Sequence, residues 1–364
     1  MKIAYDHSIE HFAAGGTATY TRELRKRLPT VDPAVQIDGF SCERSTDGGW
    51  LRRKKDVVNW QLAWPNKLNR RCAVEGYDLL HVTSSVAPRH PSLPVVFTEY
   101  DISPLLEPRS YSRWHNAMFR HYTPRMVEVA KHIITISEFT RQEMLRYFPT
   151  LKEDRITAIP LGVDALFTRA DEETQAEVLT KYGLRRPYIL SVCSLGPRKN
   201  MGRLVEAFRR IRDRVEQDLV LVGEPGKGYG RLVDYIDQMH LTGRVHVTGY
   251  VDREELPALY SAADLFAYPS LYEGFGLPPL EAMACGCPVM TSNVSSLPEV
   301  VGDAAVTVDP LDIQDIIRGL SEPILDEQYR QELRVAGMAR AATFTWERTA
   351  EETVAVYRSV LQQG

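Results

Sequence analysis

Short, uniformly apolar runs alternate with longer segments whose apolar residues recur every three or four positions, and the alternation continues along nearly the whole chain. Runs such as Ile133-Ile134 and Leu219-Val220-Leu221-Val222 have no polar face. That is the pattern of strands covered on both sides in a parallel sheet. In the first half the pattern predicts strands at 2–5, 35–40, 78–82, 94–97, 132–136 and 156–159. In the second half it predicts strands at 188–193, 218–222, 245–248, 265–268, 289–292 and 305–308. Strands alternating with helices imply βαβ units and doubly wound sheets, an α/β fold. Near the end, Ala350, Val354, Tyr357 and Leu361 share one face of a helix predicted over 346–361.

The two series of strands meet after Leu161-Gly162-Val163-Asp164, and the polar, acidic stretch 169–181 reads as a helix leading into the second series. The expected division is an N-terminal domain of residues 1–168 and a C-terminal domain of residues 169–344. A chain of 364 residues suits two cores of roughly 150–180 residues each. Two doubly wound domains facing a central cleft would bind ligands at the carboxyl ends of their strands.

Composition narrows the setting. Hydrophobic residues at 44% and charged residues at 25% fit a globular chain. No run approaches the ~20 apolar residues that span a bilayer. Asp6 interrupts the stretch where a secretory signal would be apolar, so a cytoplasmic protein is expected. The five cysteines (Cys42, Cys72, Cys193, Cys285 and Cys287) are sparse and odd in number, as free thiols are. No second Cys/His pair at zinc spacing accompanies Cys285-Gly286-Cys287, so no metal is expected there. Residues 1–165 carry 23 basic and 19 acidic side chains and the remainder 21 and 29, a net of +4 against −8. The mildly basic first half fits an anionic partner or membrane surface as well as ordinary solvated faces. Its cations cluster at Arg22, Arg25, Lys26 and Arg27, at Arg52-Arg53-Lys54-Lys55, and at Arg109, Arg113 and Arg120, the last interleaved with Tyr111, Trp114 and Phe119. No nucleic-acid partner is expected.

The segment Tyr272-Glu273-Gly274-Phe275-Gly276-Leu277-Pro278-Pro279-Leu280-Glu281 reads as a glycine-rich loop opening into a helix, which Gly286 and Pro288 close. Glycines let a ligand approach the backbone, and the N–H groups of Phe275, Gly276 and Leu277 are expected to face an anion. Glu281 is expected in the helix's first turn, accepting from ribose hydroxyls, and Glu273 on the loop, free to face a sugar. Ser194-Leu195-Gly196-Pro197-Arg198-Lys199-Asn200 follows a strand and precedes a helix at 201–210. Arg198 and Lys199 stand there where a diphosphate would sit. Ala13-Ala14-Gly15-Gly16-Thr17 follows the first strand, and Gly15 and Gly16 could admit a phosphate or sugar. It lacks the G-x-G-x-x-G spacing, and Gly223–Gly230 lacks that of a Walker loop. There is no Asp-x-Asp pair, so side chains rather than a divalent ion are expected to neutralise the diphosphate. No cofactor is expected.

At these residues the chain resembles glycosyltransferase family four, retaining enzymes of the GT-B architecture. The resemblance spans nearly the whole chain and is densest from Tyr188 to Asp309. It implies that Glu273 faces the donor sugar, Glu281 holds the ribose, and Arg198 and Lys199 grip the diphosphate beside Ser194. It also implies that Gly15-Gly16 is the glycine loop of the acceptor domain and that Tyr250-Val251 lie where backbone groups read the base. The stretch 345–364, with Trp346-Glu347-Arg348-Thr349-Ala350, would cross back to the first domain. Many relatives carry His-Asp after the fourth strand, the histidine touching the sugar. Here Tyr100 and Asp101 stand there, after Glu99, and tyrosine can donate a hydrogen bond but carries no positive charge.

The resulting expectation is transfer of a sugar, with retention and without metal, from a nucleoside-diphosphate sugar to an acceptor hydroxyl. The segment around Arg198 is similar to relatives that build bacterial surface polysaccharides, often from GDP-mannose, which places GDP-mannose ahead of UDP-linked sugars. A lipid-linked acceptor would place the enzyme at the inner face of the membrane. The alternatives are a GT-B nucleotide-sugar epimerase and a non-catalytic nucleotide-sugar-binding protein. A phosphorylase would need a pyridoxal-binding lysine and a longer chain.

Overall fold

The computed structural model describes residues 1–12, 15–43, 50–84, 86, 88 and 90–362, with the backbone alone at 50, 51, 53 and 54. Two compact units emerge, Met1–Gly162 with Thr345–Gly364, and Val163–Phe344. Among the described residues each holds one six-stranded parallel sheet. Every expected strand forms, with ends shifted by two residues at most.

In the first unit β1 (Lys2–Asp6), β2 (Gln36–Phe40), β3 (Leu79–Val82), β4 (Val95–Glu99), β5 (His132–Thr135) and β6 (Ile156–Ala158) are ordered β2-β1-β3-β4-β5-β6. Ile3 pairs with Ile37 on one side and Leu79 on the other. The winding reverses between β1 and β3, which opens a crevice at their carboxyl ends. The sheet interior is closed by Trp346–Gln362, whose Trp346, Ala350, Val354, Tyr357 and Val360 are buried. A buried polar chain ties it down. Tyr357 hydroxyl lies 2.5 Å from His81 Nδ1, His81 Nε2 lies 2.8 Å from Thr98 Oγ1, and Tyr20 hydroxyl lies 3.0 Å from the same Thr98 oxygen. Burial holds the His81 pKa down at about 3, so the ring is neutral.

In the second unit β7 (Tyr188–Val192), β8 (Asp218–Val222), β9 (Val245–Gly249), β10 (Leu265–Tyr268), β11 (Val289–Ser292) and β12 (Val306–Val308) run β12-β11-β10-β7-β8-β9. Here the winding reverses between β7 and β10. Helix Met201–Ile211 buries Met201, Leu204, Val205, Phe208 and Ile211 as one stripe. Residues 163–168, grouped above with the first domain, pack in this unit. Asp164 accepts from Arg253 Nη1 at 2.9 Å, and Phe167 lies edge-on to Tyr260.

Candidate functional site

The crevice between β7 and β10 is where the second unit gathers its chemistry. After β7 the chain makes a 3-10 turn, Pro197–Lys199, and Asn200 adopts a left-handed conformation (φ 63°) before helix Met201–Ile211 starts. Asn200 is one of the few residue types that tolerate this φ. Its buried amide donates to Pro269 O at 3.0 Å and Pro310 O at 2.7 Å, tying together the loops after β7, β10 and β12. The Arg198 carbonyl accepts from Leu271 N at 2.8 Å. The turn carrying both cations is therefore fixed to the loop that carries Glu273.

Glu273 lies on the loop, as expected, and its carboxylate is paired within the crevice. It is 8% exposed, and the 9% exposed Lys199 donates to its Oε1 at 2.6 Å. Arg198 Nη1 lies 3.1 Å from its Oε2, Ser270 Oγ donates to Oε1 at 2.5 Å, and Tyr268 hydroxyl is 3.1 Å away. Lys199 also donates to Tyr268, and Arg198 to the Tyr272 carbonyl. Pairing with two cations and accepting hydrogen bonds offsets the solvation that the buried carboxylate gives up. Burial alone would raise the Glu273 pKa. Lys199, Arg198 and the hydrogen bonds from Lys199 and Ser270 bring it down to about 2.

The following loop is held from β11. Glu273 N donates to Ser295 Oγ at 3.0 Å, and Ser296 Oγ donates to Glu273 O and Phe275 O at 2.9 and 2.6 Å. Ser295 has φ 57°, a strained conformation of the kind that gathers at functional sites. Helix Leu277–Ala284 starts after Gly276, whose φ of 123° suits glycine, and a Cβ there would lie 2.9 Å from Leu297 Cδ2. No acceptor among the described residues takes the N–H groups of Phe275, Gly276 and Leu277. The helix start places Glu281 fifth in the helix, beyond the first turn expected for it, because Gly276 caps and Leu277 is the first helical residue. The half-buried Glu281 is met by Tyr260 hydroxyl at 3.4 Å. Burial pushes its pKa up to about 7 against the pull of Arg253 and the Tyr260 hydroxyl, with Asp164 adding to the rise.

Within the second unit, Ser194, Tyr250 and Val251 lie outside this cluster. Ser194 is exposed at the end of β7. Tyr250, 64% exposed, and Val251, buried, follow β9, two strand positions from β7, roughly 10 Å away. Gly15, Gly16, Tyr100 and Asp101 belong to the first unit. Gly15 (φ 72°) caps helix Gly16–Val31, and Ala13-Ala14 lie outside the described residues. Tyr100 gives its one proton to Thr83 O at 3.0 Å and lies 3.2 Å from Thr21 Oγ1, so the donor expected for a sugar is engaged internally. Asp101 accepts from Ser103 N at 2.7 Å. Glu99 is buried, with one oxygen accepting from Tyr100 N and its pKa raised by burial.

The basic clusters are also rearranged. Lys26 and Arg22 lie 3.1 and 3.5 Å from Glu23, Arg27 lies 2.8 Å from Glu347, and Arg25 lies 3.6 Å from Glu10. Phe119 packs on the core, and Tyr111 stacks on His115. The side chains of Arg53 and Lys54 lie outside the described residues. Trp114 (57% exposed) and Leu106 remain outward beside the exposed Arg109, Arg113 and Arg120. Among the described residues no helix is long and apolar enough to cross a membrane.

Sequence reading missed Tyr268, Ser270, Ser295, Ser296, Tyr260 and Arg253. Tyr268 looked like ordinary core. The available signal was position, since Tyr268 ends β10 and Ser295-Ser296 follow β11, both at carboxyl ends beside the crevice.

The family model for glycosyl transferases group 1 matches residues 173–340, and that for Glycosyltransferase Family 4 matches residues 14–167. O-antigen chain mannosyltransferase B of Escherichia coli is 31% identical over 98% of this chain and the full length of that protein. Sucrose-phosphate synthase of Thermosynechococcus elongatus has a TM-score of 0.79 at 21% identity, with both chains fully covered. Anabaena HepE in complex with UDP and glucose has a TM-score of 0.74 at 19% identity, covering 99% of this chain and all of that one. Two Rossmann-like units with the GT-B neighbours, the two family matches and a full-length relative place this chain in glycosyltransferase family 4.

Proposed function

We propose that this glycosyltransferase moves mannose from GDP-mannose, with retention and without a metal ion, onto an acceptor in bacterial surface polysaccharide assembly. The observation that carries the reading is the Glu273 carboxylate held between Lys199 and Arg198 at the β7–β10 crevice. The mannosyl donor rests on the likeness to O-antigen chain mannosyltransferase B, and the nucleotide form on HepE, whose complex holds UDP and glucose.

In this reading the second unit, residues 163–344, binds the donor, and the first unit, residues 1–162 with 345–364, the acceptor. The nucleotide runs from the crevice toward Tyr250-Val251, with Glu281 on the ribose and Ser194 beside it. The Lys199 ammonium has three N–H donors, and Glu273 and Tyr268 take two. The third, the Arg198 guanidinium and the N–H groups of Phe275, Gly276 and Leu277 stabilise charge developing on the departing diphosphate. Glu273 fixes both cations and orients the sugar. The leaving phosphate takes the proton of the acceptor hydroxyl. Gly15 and Gly16, at the start of helix Gly16–Val31, offer N–H groups to the donor, and Asp101 remains a sugar contact.

The test is a thermal-shift panel of nucleoside diphosphates and their sugars. A ligand at 100 times its dissociation constant stabilises by about 2.7 kcal/mol. Stabilisation by GDP and GDP-mannose above the UDP series supports the reading, and a UDP preference replaces the donor.

A further inference from the structure

The loops after β7 and β8 are joined backbone to backbone. Leu195 N donates to Glu224 O at 3.0 Å, and Leu195 and Pro225 form a parallel bridge. A Cβ at Gly223 would lie 1.8 Å from the Cys193 carbonyl oxygen, and one at Gly226 would lie 2.9 Å from Gly196 N. Side chains are thereby excluded from the seam. Where the helices Met201–Ile211 and Tyr229–Gln238 leave these loops, a cavity of about 510 Å³ opens.

Leu195, Pro197, Met201 and Leu232 supply its apolar lining. Tyr235 lines it too, its hydroxyl donating to Glu206. The charged side chains that line it are all cations, Arg203, Lys227 and Arg231, with no carboxylate among the described lining. This concentration of positive charge lies in the acidic half of the chain, where residues 166–364 carry 21 basic and 29 acidic side chains. Two guanidiniums and an ammonium around one opening suit a phosphate, which takes several charge-assisted hydrogen bonds at once. The apolar lining suits the stem that carries it, and the volume suits a small ligand. The cavity shares Gly196, Pro197 and Asn200 with the cation turn, yet Arg198, Lys199, Glu273 and Glu281 do not line it.

We infer that this cavity is a second anion site, separate from the donor crevice, which binds a phosphate ester on a sugar or short apolar stem. The assignment stands on the cavity and its cations and does not need the donor to be GDP-mannose.

Calorimetry on the full chain tests it, with glucose 6-phosphate as the soluble probe and farnesyl phosphate, below its micelle concentration, as the lipid-borne one. One of them binds saturably at one site per chain, and binding persists in saturating GDP. Lys227→Glu with Arg231→Glu, both at exposed positions, weakens it by about tenfold or more while the melting temperature is kept. Preference for farnesyl phosphate assigns the site to a lipid-borne phosphate, and preference for glucose 6-phosphate to a free sugar phosphate. Binding of neither probe, full displacement by GDP, or unchanged binding in the double variant overturns the inference. If GDP itself fails to bind while the probe and the variant behave as stated, the donor reading fails and this site stands.

Discussion

Lys199 Nζ lies 2.6 Å from Glu273 Oε1 across 74 residues of sequence, and both side chains are buried at the mouth of the β7–β10 crevice. The contact makes the cation a structural partner of the carboxylate as well as a candidate for the diphosphate. Sequence alone placed Lys199 at the diphosphate and Glu273 at the sugar as separate groups on separate loops, and the structure couples them.

Lys199→Ala therefore has two expected effects. It leaves Glu273 buried with Arg198 as its remaining cation, which costs about 3 kcal/mol in urea unfolding. It also cuts turnover by about 10²–10³ through weaker charge stabilisation. Wild-type stability with low turnover would mean that the pair does not form in solution. Wild-type turnover would remove Lys199 from the chemistry.

Glu273 also carries a pH signature. Its folded pKa is depressed to about 2, below the roughly 4.3 of an unfolded glutamate. The stability it contributes is present above about pH 4.3 and is lost as pH falls through about 2. The urea midpoint of Glu273→Gln should lie below that of wild type at pH 7, and the gap should shrink steadily on acidification. A gap independent of pH would mean that the charge of Glu273 is not what stabilises the site.

The strands were legible in sequence because residues such as Leu219–Val222 are apolar on both faces, and that has one structural meaning in a chain of this length. The helix start was less so. Pro278 and Pro279 each suit a first turn, and where that turn begins decides whether Glu281 belongs to it, which only the Gly276 backbone settles. Contacts were not legible at all. Nothing in the spacing of Ser270, Glu273 and Ser295 shows that one hydroxyl donates to the Glu273 carboxylate while the other takes its N–H.

Two glycines that look alike in sequence should behave differently. A Cβ at Gly223 would sit 1.8 Å from the Cys193 carbonyl oxygen at φ 144°, whereas one at Gly196 meets nothing within 4 Å. Gly223→Ala should abolish cooperative unfolding or lower the melting temperature by many degrees, and Gly196→Ala should be nearly neutral. Equal melting curves would mean that the seam between the loops after β7 and β8 is not packed as described.

We propose peripheral attachment of the first unit to the inner face of the membrane. Trp114 and Leu106 point outward, and the exposed Arg113 and Arg120 lie on the helix that carries Trp114. Each exposed cation near anionic lipid contributes about 1 kcal/mol. The chain should sediment with anionic vesicles at low salt and leave them at high salt, and Trp114→Ala with Arg113→Glu should release it. Equal recovery in the supernatant under every condition would favour a soluble acceptor.

Glu281 should couple nucleotide binding to a proton. The half-buried carboxyl titrates at about 7, raised by burial and by Asp164 against Arg253 and the Tyr260 hydroxyl. An unfolded glutamate titrates near 4.3, so between these values the folded chain holds a proton that the unfolded chain lacks. Its contribution to stability is thus present below about pH 4.3 and is lost as pH rises through about 7. Ribose hydroxyls donate hydrogen bonds, and an ionised carboxylate accepts them best, so a bound nucleotide selects the deprotonated form. Near pH 6.5, GDP binding should release up to about one proton. Calorimetry in buffers of different ionisation heat reads that number directly. Glu281→Gln should bind GDP more weakly and release no proton, with turnover at saturating donor little changed, because the ribose contact is made equally in ground and transition states. Buffer-independent heats for the wild-type chain would take Glu281 off the ribose.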